Sequence, residues 1–239
     1  MQTLVVQLIG VVAMSNIVLA APSATENGRQ AQCVAGIATR AAKVDDLARR
    51  QSVRMSTIDH RLARAQLAMM GKTDQAVRKA MLRAVAQCGS GFDAESLRSI
   101  ITLMQSIDRK NLSELKELLK KIHWPVISKY GAAADQAAFL VVQHAADDAQ
   151  FQRDILDVLQ SLVQRHETSS ENYALLYDRV QENAGRLQLY GSQGECVGHK
   201  WTPTAIDDPL GVDKRRAAIG LPKLSAYTKR AAKLICGAQ

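Results

Sequence analysis

Apolar residues recur at three- and four-residue intervals through most of the chain, and this spacing constrains its fold more than any other feature. Ile58, Leu62, Ala65 and Met69 form one such series, and the period places them on one face of an α-helix. Runs of β-branched residues, which favour strands, are rare. We therefore predict a mainly α protein, in which a compact multi-helix domain follows an N-terminal helical hairpin.

Interruptions of this pattern predict where the first helices end. Gly71 is expected to separate a helix within residues 26–70 from a second helix. Ser113 is expected to cap a new helix. That helix should stop at Trp124, because the residue before a proline avoids helical backbone.

The C-terminal half has the same helical character until about residue 185 and then changes. Helices are predicted over residues 132–146, 148–165 and 170–185, and Ser169-Ser170-Glu171 is expected to cap the last of them. Alternating residues over 187–193 and 200–206 predict two short strands joined by a glycine-rich turn, which form a small β-hairpin near residues 187–206, and two short helices follow. The predicted organisation has three parts: a signal peptide (1–20), an N-terminal helical extension (26–90) and a helical domain that carries the polar motifs (91–239).

The first twenty residues are predicted to be a signal peptide. An apolar run from Leu4 to Leu19 is too short and too polar to span a bilayer comfortably. Val18 and Ala20 are small residues at the positions that signal peptidase requires for cleavage after Ala20. We expect a periplasmic or secreted protein with no transmembrane span in the mature chain. The alternative is an uncleaved amphipathic N-terminus.

The four cysteines are expected to form two disulfides, since they are dispersed and an exported protein meets oxidising conditions. The favoured pairs are Cys33–Cys88 and Cys196–Cys236, because each is local to one structural unit. Without export, four buried free thiols are the alternative.

The formal net charge of +8 raises the question of an anionic partner. Lys and Arg are interspersed with Asp and Glu, and aromatic residues, which stack on single strands, make up only 4% of the chain. These features argue against a nucleic-acid partner and favour a mildly basic, solvated surface. Salt-sensitive binding to anionic surfaces remains as an alternative.

His144 is the first candidate functional residue. In the predicted helix it shares one face with Leu140 and Phe151, so its ring should point into the core. Asp148 follows four residues later, and a histidine and a carboxylate at this spacing can hold one divalent metal ion. The alternative is a hydrogen-bonded structural histidine.

A second group of candidates follows in the chain. Asp178 is predicted to orient His144, to share its metal or to act as a base. Arg179, Tyr190 and Gln193, together with Gln143, are predicted to hold a polar ligand. Alternatively, Tyr190 and Gln193 satisfy loop carbonyls, and Asp178 forms an ordinary ion pair, for example with Arg216. The pair Arg215-Arg216 is interpreted as solvated, with an anion site as the alternative.

The order of several short motifs resembles that of a bacterial family of domains of unknown function. The resemblance covers about Asp74 to Tyr227, and Asp74-Gln75 with Arg78 is its earliest element. The other matching pieces are, in order, Trp124-Pro125, Gln143-His144-Ala145, Asp178-Arg179, Gly185, Gln188, Tyr190-Gly191-Ser192-Gln193, Asp213 with Arg215-Arg216, and Gly220-Leu221. The chain departs from that pattern at His123, Ala146 and Ser192, where the family commonly has glycine, an acid and threonine. The resemblance implies a place for the site and no particular chemistry.

Two functions follow as expectations. The first is an exported helical protein with a polar pocket that binds a small ligand or catalyses a hydrolytic step, with His144 as general base or metal ligand. The second is a non-enzymatic interaction protein of the cell envelope, such as an immunity or adaptor protein, in which the polar network is structural. No phosphate-binding glycine loop, HExxH or GxSxG motif is present to indicate an enzyme class.

Overall fold

The computed structural model describes residues 59–88 and 94–236, together with a few helical positions between residues 28 and 42. The predicted signal peptide and most of the first predicted helix lie outside this part of the chain. Eight helices and one two-stranded sheet form within it, so the predicted mainly α fold with a small β-hairpin is confirmed. None of these helices combines the length and apolarity that a membrane span needs.

The described residues form two compact units, one ending at His123 and one beginning at Trp124. The N-terminal unit consists of helix α1 (His60–Cys88) and helix α2 (Ala94–Ile122). Both helices are continuous, so the predicted breaks at Gly71 and Ser113 are wrong. Gly71 is buried, and packing of the helix outweighs the roughly 1 kcal/mol that an interior glycine costs.

Helices α1 and α2 are joined by polar contacts as well as by apolar packing. Arg78 on α1 forms ion pairs with Asp74, 2.8 Å away on the same helix, and with Asp108 on α2, 2.9 Å away. About two turns from Arg78 towards the N-terminus of α1, Asn111 donates from Nδ2 to the Met70 carbonyl at 3.4 Å. From the first contact to the second, the residue number falls on α1 and rises on α2. The two helices therefore form an antiparallel hairpin.

The C-terminal unit contains six helices and the sheet within its described residues. Three consecutive helices contribute fully buried side chains to its core, among them Phe139, Leu159 and Leu176. The elements are α3 (Ile127–Tyr130), α4 (Ala132–Gln143), α5 (Ala149–Val163), α6 (Ser170–Asn183), β1 (Gly194–Val197), β2 (Lys200–Pro203), α7 (Val212–Ala218) and α8 (Leu224–Ile235).

Helix α6 lies at the centre of the hydrogen bonds that join this unit. Ser169 caps it, as its position before Ser170-Glu171 predicted, by accepting from the Glu171 and Asn172 amides. Side chains of α6 then reach four neighbouring segments. These bonds join Asn172 to Asp135 on α4, Asn183 to Gln152 on α5, Glu182 to Thr204 after β2, and Glu171 to Arg230 on α8.

The β-hairpin is covalently tied to the last helix. Strand β1 pairs antiparallel with β2, with Cys196 opposite Trp201. A disulfide joins Cys196 to Cys236 directly after α8, with 5.5 Å between their Cα atoms, which agrees with the predicted pair. The side chains of the other predicted pair, Cys33 and Cys88, lie outside the described residues.

Candidate functional site

The six residues Gln188–Gln193, predicted as part of a strand, instead form a loop around the carboxylate of Asp178. Asp178 lies on α6 and is fully buried. Its Oδ1 accepts from the amides of Leu189 at 2.8 Å and Tyr190 at 3.0 Å, and its Oδ2 accepts from the Ser192 amide at 2.8 Å. Burial raises the pKa of the Asp178 carboxyl, and these three donors oppose that rise. Asp178 therefore fixes the course of the loop.

Gln188 and Gln193 close the loop at its base. The Gln188 side chain accepts from the Gln193 amide at 2.9 Å and donates to the Gln193 carbonyl at 3.0 Å. It also donates to the Thr204 carbonyl at 2.9 Å. Because one amide group serves three backbone atoms, the loop is joined to the segment that follows β2 without forming a strand.

The side chain of Gln193 points back to α6. Its Oε1 accepts from Arg179 Nη2 at 2.9 Å, and its Nε2 donates to the Leu175 carbonyl at 3.2 Å. Four of the predicted site residues, Asp178, Arg179, Tyr190 and Gln193, are thus brought together around one loop. In the bonds described here, their polar atoms contact the protein's own backbone and each other.

Gly191 allows the loop to pack closely against its neighbours. Its φ of +68° lies in the left-handed region that favours glycine. A Cβ atom at this position would lie 2.8 Å from Leu224 Cδ1 and 2.9 Å from Ile206 Cδ1, which is too close for unstrained packing. The backbone conformation therefore favours glycine, and a larger residue would also have to displace the ends of the Leu224 and Ile206 side chains.

Arg216 supports the loop from α7, contrary to its interpretation as half of a solvated pair. Its side chain is 1% exposed. Nη1 donates to the Tyr190 carbonyl at 2.6 Å, and Nε donates to the Pro222 carbonyl at 2.7 Å. The guanidinium also lies 5.0 Å from the ring centroid of Tyr227, whose hydroxyl donates to the Ser192 carbonyl at 2.9 Å.

Arg215 holds an adjacent turn, residues 207–211, against the same loop. Its Nε donates to the Leu189 carbonyl at 3.0 Å, and Nη2 donates to the carbonyls of Asp207 and Asp208 at 2.5 and 2.9 Å. Nη1 lies 3.2 Å from the Asp208 carboxylate. The turn is therefore fixed at several points, and Leu210 at its end is 98% exposed.

Three tyrosine rings pack beside the loop. Tyr173, Tyr177 and Tyr190 have centroid separations between 5.7 and 6.1 Å, in tilted and edge-on arrangements that aromatic pairs prefer. Burial is the main cause that raises the pKa of the Tyr190 hydroxyl far above its usual range. Tyr190 therefore stays neutral at physiological pH and serves in packing and hydrogen bonding.

His144 lies at the junction of two helices, and the predicted shared helical face is wrong. Helix α4 ends at Gln143, His144 is its C-cap with φ −94° and ψ 3°, and Asp148 caps the separate helix α5 by accepting from the Phe151 amide. Gln152 stabilises the end of α4 by donating to the Val142 and Gln143 carbonyls at 3.0 and 3.2 Å. The His144 ring is nevertheless buried, at 7% exposure.

These positions leave the predicted catalytic pair untested. Gln143, His144 and Asp148 belong to the α4–α5 junction, whereas Asp178 lies on α6 and binds the loop that follows that helix. The hydrogen bonds to the Asp178 carboxylate come from the loop amides. The role of Asp178 as orienter of His144, and of His144 and Asp148 as metal ligands, remains a prediction.

A second buried carboxylate, Asp135 on α4, was missed because no motif surrounds it. Oδ1 accepts from Trp124 Nε1 at 2.8 Å and from Thr168 Oγ1 at 2.7 Å. Oδ2 accepts from the Ser169 amide at 3.1 Å and from Asn172 Nδ2 at 2.9 Å. Burial raises the pKa of this carboxyl against the effect of its four donors. The only sequence signal is a single acid in an alanine-rich helix.

Comparison with known proteins gives a family and no activity. No curated protein and no solved structure matches the chain. A family model described as a family of unknown function, DUF6624, matches residues 61–234, a longer span than the motifs alone indicate. Because this match covers most of the sequence, the chain belongs to the family of unknown function DUF6624.

Proposed function

We propose that the protein is exported to the periplasm or secreted, and acts there as a non-enzymatic interaction protein of the cell envelope. The observation that carries this proposal is that the polar side chains of its motifs form hydrogen bonds within the protein itself. The carboxylate of Asp178, the amide of Gln188 and the guanidinium of Arg216 are each occupied by backbone atoms of one loop. Polar groups committed in this way specify a rigid surface.

The surface that this scaffold presents includes an exposed leucine. Leu210 is 98% exposed, on a turn that Arg215 fixes to the loop, and Leu187 just before the loop is 50% exposed. A side chain on a rigid turn loses little conformational freedom on binding, which favours association. The partner expected for this face is a protein with an apolar pocket for Leu210.

Export is proposed on two grounds. The apolar segment of residues 4–19 has the pattern of a signal peptide. The Cys196–Cys236 disulfide suits an oxidising compartment, because cytosolic proteins keep most cysteines reduced.

A cross-linking experiment tests the interaction surface. With a photoreactive amino acid in place of Leu210, we expect one discrete cross-linked species in cells that produce the protein. The matched control places the same amino acid at Val197, which is 60% exposed in the hairpin. Leu210→Asp should abolish association with the cross-linked partner and change stability by less than about 0.5 kcal/mol, as expected of an exposed residue. Equal cross-linking from both positions, or none, would contradict this surface.

The second candidate function is a small-ligand or hydrolytic site centred on His144. It is favoured by one observation: a buried histidine and Asp148 lie within a single connection between helices. His144 would act as general base or as a ligand to a divalent metal, with Asp178 as its orienter. Gln143, Arg179, Tyr190 and Gln193 would hold the substrate.

Metal content separates the two candidates. If His144 is a ligand, the protein purified without chelator should contain one equivalent of divalent metal, which His144→Ala loses. His166→Ala is the matched control, because His166 is exposed at the end of α5, and it should retain the metal. If the purified protein contains no metal, the metal-dependent form of this candidate is ruled out, and the interaction function remains the proposal.

A further inference from the structure

The net positive charge of this protein comes entirely from its N-terminal half. Residues 1–123 contain 18 Lys and Arg and 10 Asp and Glu, whereas residues 124–239 contain 13 of each kind. The whole formal charge of +8 therefore lies before Trp124. Such an unequal distribution of net charge between the two halves of a chain indicates a localised basic surface that binds an anionic partner, rather than a protein that is uniformly basic.

Four basic residues of α1 lie on one exposed face of the helix. Arg61, Arg64, Lys72 and Lys79 are all exposed. At 100° per residue they fall within about 60° of a common direction, and they extend over about 27 Å of helix. We refer to these four residues as the α1 stripe.

No acidic residue accompanies the stripe. The one acid between Arg61 and Lys79, Asp74, lies on the opposite face and is buried. Within the described part of the chain, none of the four stripe residues forms an ion pair. Lys120 on α2, by contrast, lies 2.5 Å from Glu117. The stripe is therefore a row of positive charges without internal counter-charges.

We propose that the α1 stripe binds the surface of an anionic phospholipid bilayer. A straight helix can bring a row of charges against a flat surface all at once, and each basic residue near such a surface strengthens binding about fivefold. The residues between the charges on this face include Ala65 and Ala68, so contact is electrostatic and does not require insertion.

Lipid is favoured over nucleic acid by what surrounds the stripe. Residues 60–79 contain no aromatic side chain on which bases could stack. The apolar segment of residues 4–19 also predicts that the chain meets a membrane during export. This proposal does not depend on Leu210 or His144, so it can fail or succeed independently of the functions proposed above.

The test measures co-sedimentation of the protein with lipid vesicles, using protein purified in the form that the cell produces after processing. One set of vesicles contains phosphatidylcholine alone, and the other contains about one third phosphatidylglycerol. We expect binding only to the anionic vesicles, and much weaker binding at about 0.2 M than at about 0.02 M salt, since ions screen exposed charges. The stripe variant changes Arg61, Arg64, Lys72 and Lys79 to Gln and should bind on the order of several hundredfold more weakly.

The matched control removes the same charge from the neutral half of the chain. It changes Lys214, Lys223, Lys229 and Lys233, which are all exposed, to Gln, and it should bind at least tenfold more tightly than the stripe variant. Two half-variants, Arg61→Gln with Arg64→Gln and Lys72→Gln with Lys79→Gln, should each lose about thirtyfold and serve if the fourfold variant does not fold.

Three outcomes would overturn the proposal. The first is an absence of binding to anionic vesicles by the unaltered protein. The second is an equal loss in the stripe variant and the control, which would indicate a response to net charge alone. The third is tighter, stripe-dependent binding to a short DNA duplex than to the vesicles at the same salt, which would assign the surface to nucleic acid.

Discussion

Asp178→Asn is expected to lower the free energy of unfolding of the C-terminal unit by about 3–5 kcal/mol. The native carboxylate accepts from three backbone amides. An asparagine side chain has only one acceptor oxygen in place of two. Its NH₂ group would therefore face at least one of these backbone N–H donors, and that buried donor would have no acceptor. A buried donor left without an acceptor costs about 1–3 kcal/mol, and losing the charge weakens the remaining bonds.

Urea denaturation followed by tryptophan fluorescence measures this effect directly. Both tryptophans of the chain, Trp124 and Trp201, are buried in the C-terminal unit, so their emission reports on its unfolding. Asp157→Asn is the control, because Asp157 is exposed on α5, and it should change stability by less than about 0.5 kcal/mol. If Asp178→Asn is as stable as this control but loses a bound ligand or an activity, the catalytic role of Asp178 gains support instead.

Removal of the Cys196–Cys236 disulfide is expected to cost about 4 kcal/mol. The bond closes a loop with a sequence separation of 40, and the entropy that such a cross-link removes from the unfolded chain corresponds to about that free energy. The double variant Cys196→Ser with Cys236→Ser should therefore unfold at a clearly lower urea concentration than the unaltered protein.

Reductant provides the control for this experiment. Reduction should destabilise the C-terminal unit of the unaltered protein and leave the tryptophan-detected transition of the double variant in place. A cost below about 1 kcal/mol for the double variant would mean that the unfolded chain without the disulfide still keeps the hairpin close to the end of α8.

The sequence was informative where a local rule decides the structure. Trp124 ends the helical pattern before a proline, and α2 does stop at Ile122. Ser169 caps α6, and the dispersed cysteines in the C-terminal half pair with each other. Each of these outcomes depends on neighbouring residues or on one covalent bond, so the pattern of residues is sufficient to predict it.

The prediction failed where tertiary packing overrides a local preference. Gly71 does not interrupt α1, because it is buried within that helix and the packing around it outweighs the cost of an interior glycine. The helix before His144 stops without a glycine or a proline, since Gln152 from α5 supplies donors to its last carbonyls. Such contacts join residues that are distant in sequence, and periodicity alone does not reveal them.

The sequence predicted that several polar residues of the candidate site lie close together, but it did not predict which contacts they make. Asp178, Arg179, Tyr190 and Gln193 do lie around one loop. Their bonds within the protein go to loop amides, to the Leu175 carbonyl of α6 and to each other, and their predicted role in holding a ligand stays a prediction. Arg216 and Asp135 were undervalued because their burial depends on distant elements, which a single sequence does not show.

The central position of α6 has a consequence for how the C-terminal unit exchanges its amide hydrogens with solvent. A segment can open locally only after the bonds that hold it are released. α4, α5, α8 and the Gln188–Gln193 loop can each detach by breaking their own bonds to α6, whereas α6 is released only when all of them have opened. The amides of α6 should therefore be the slowest to exchange, at a rate set by global unfolding of the unit.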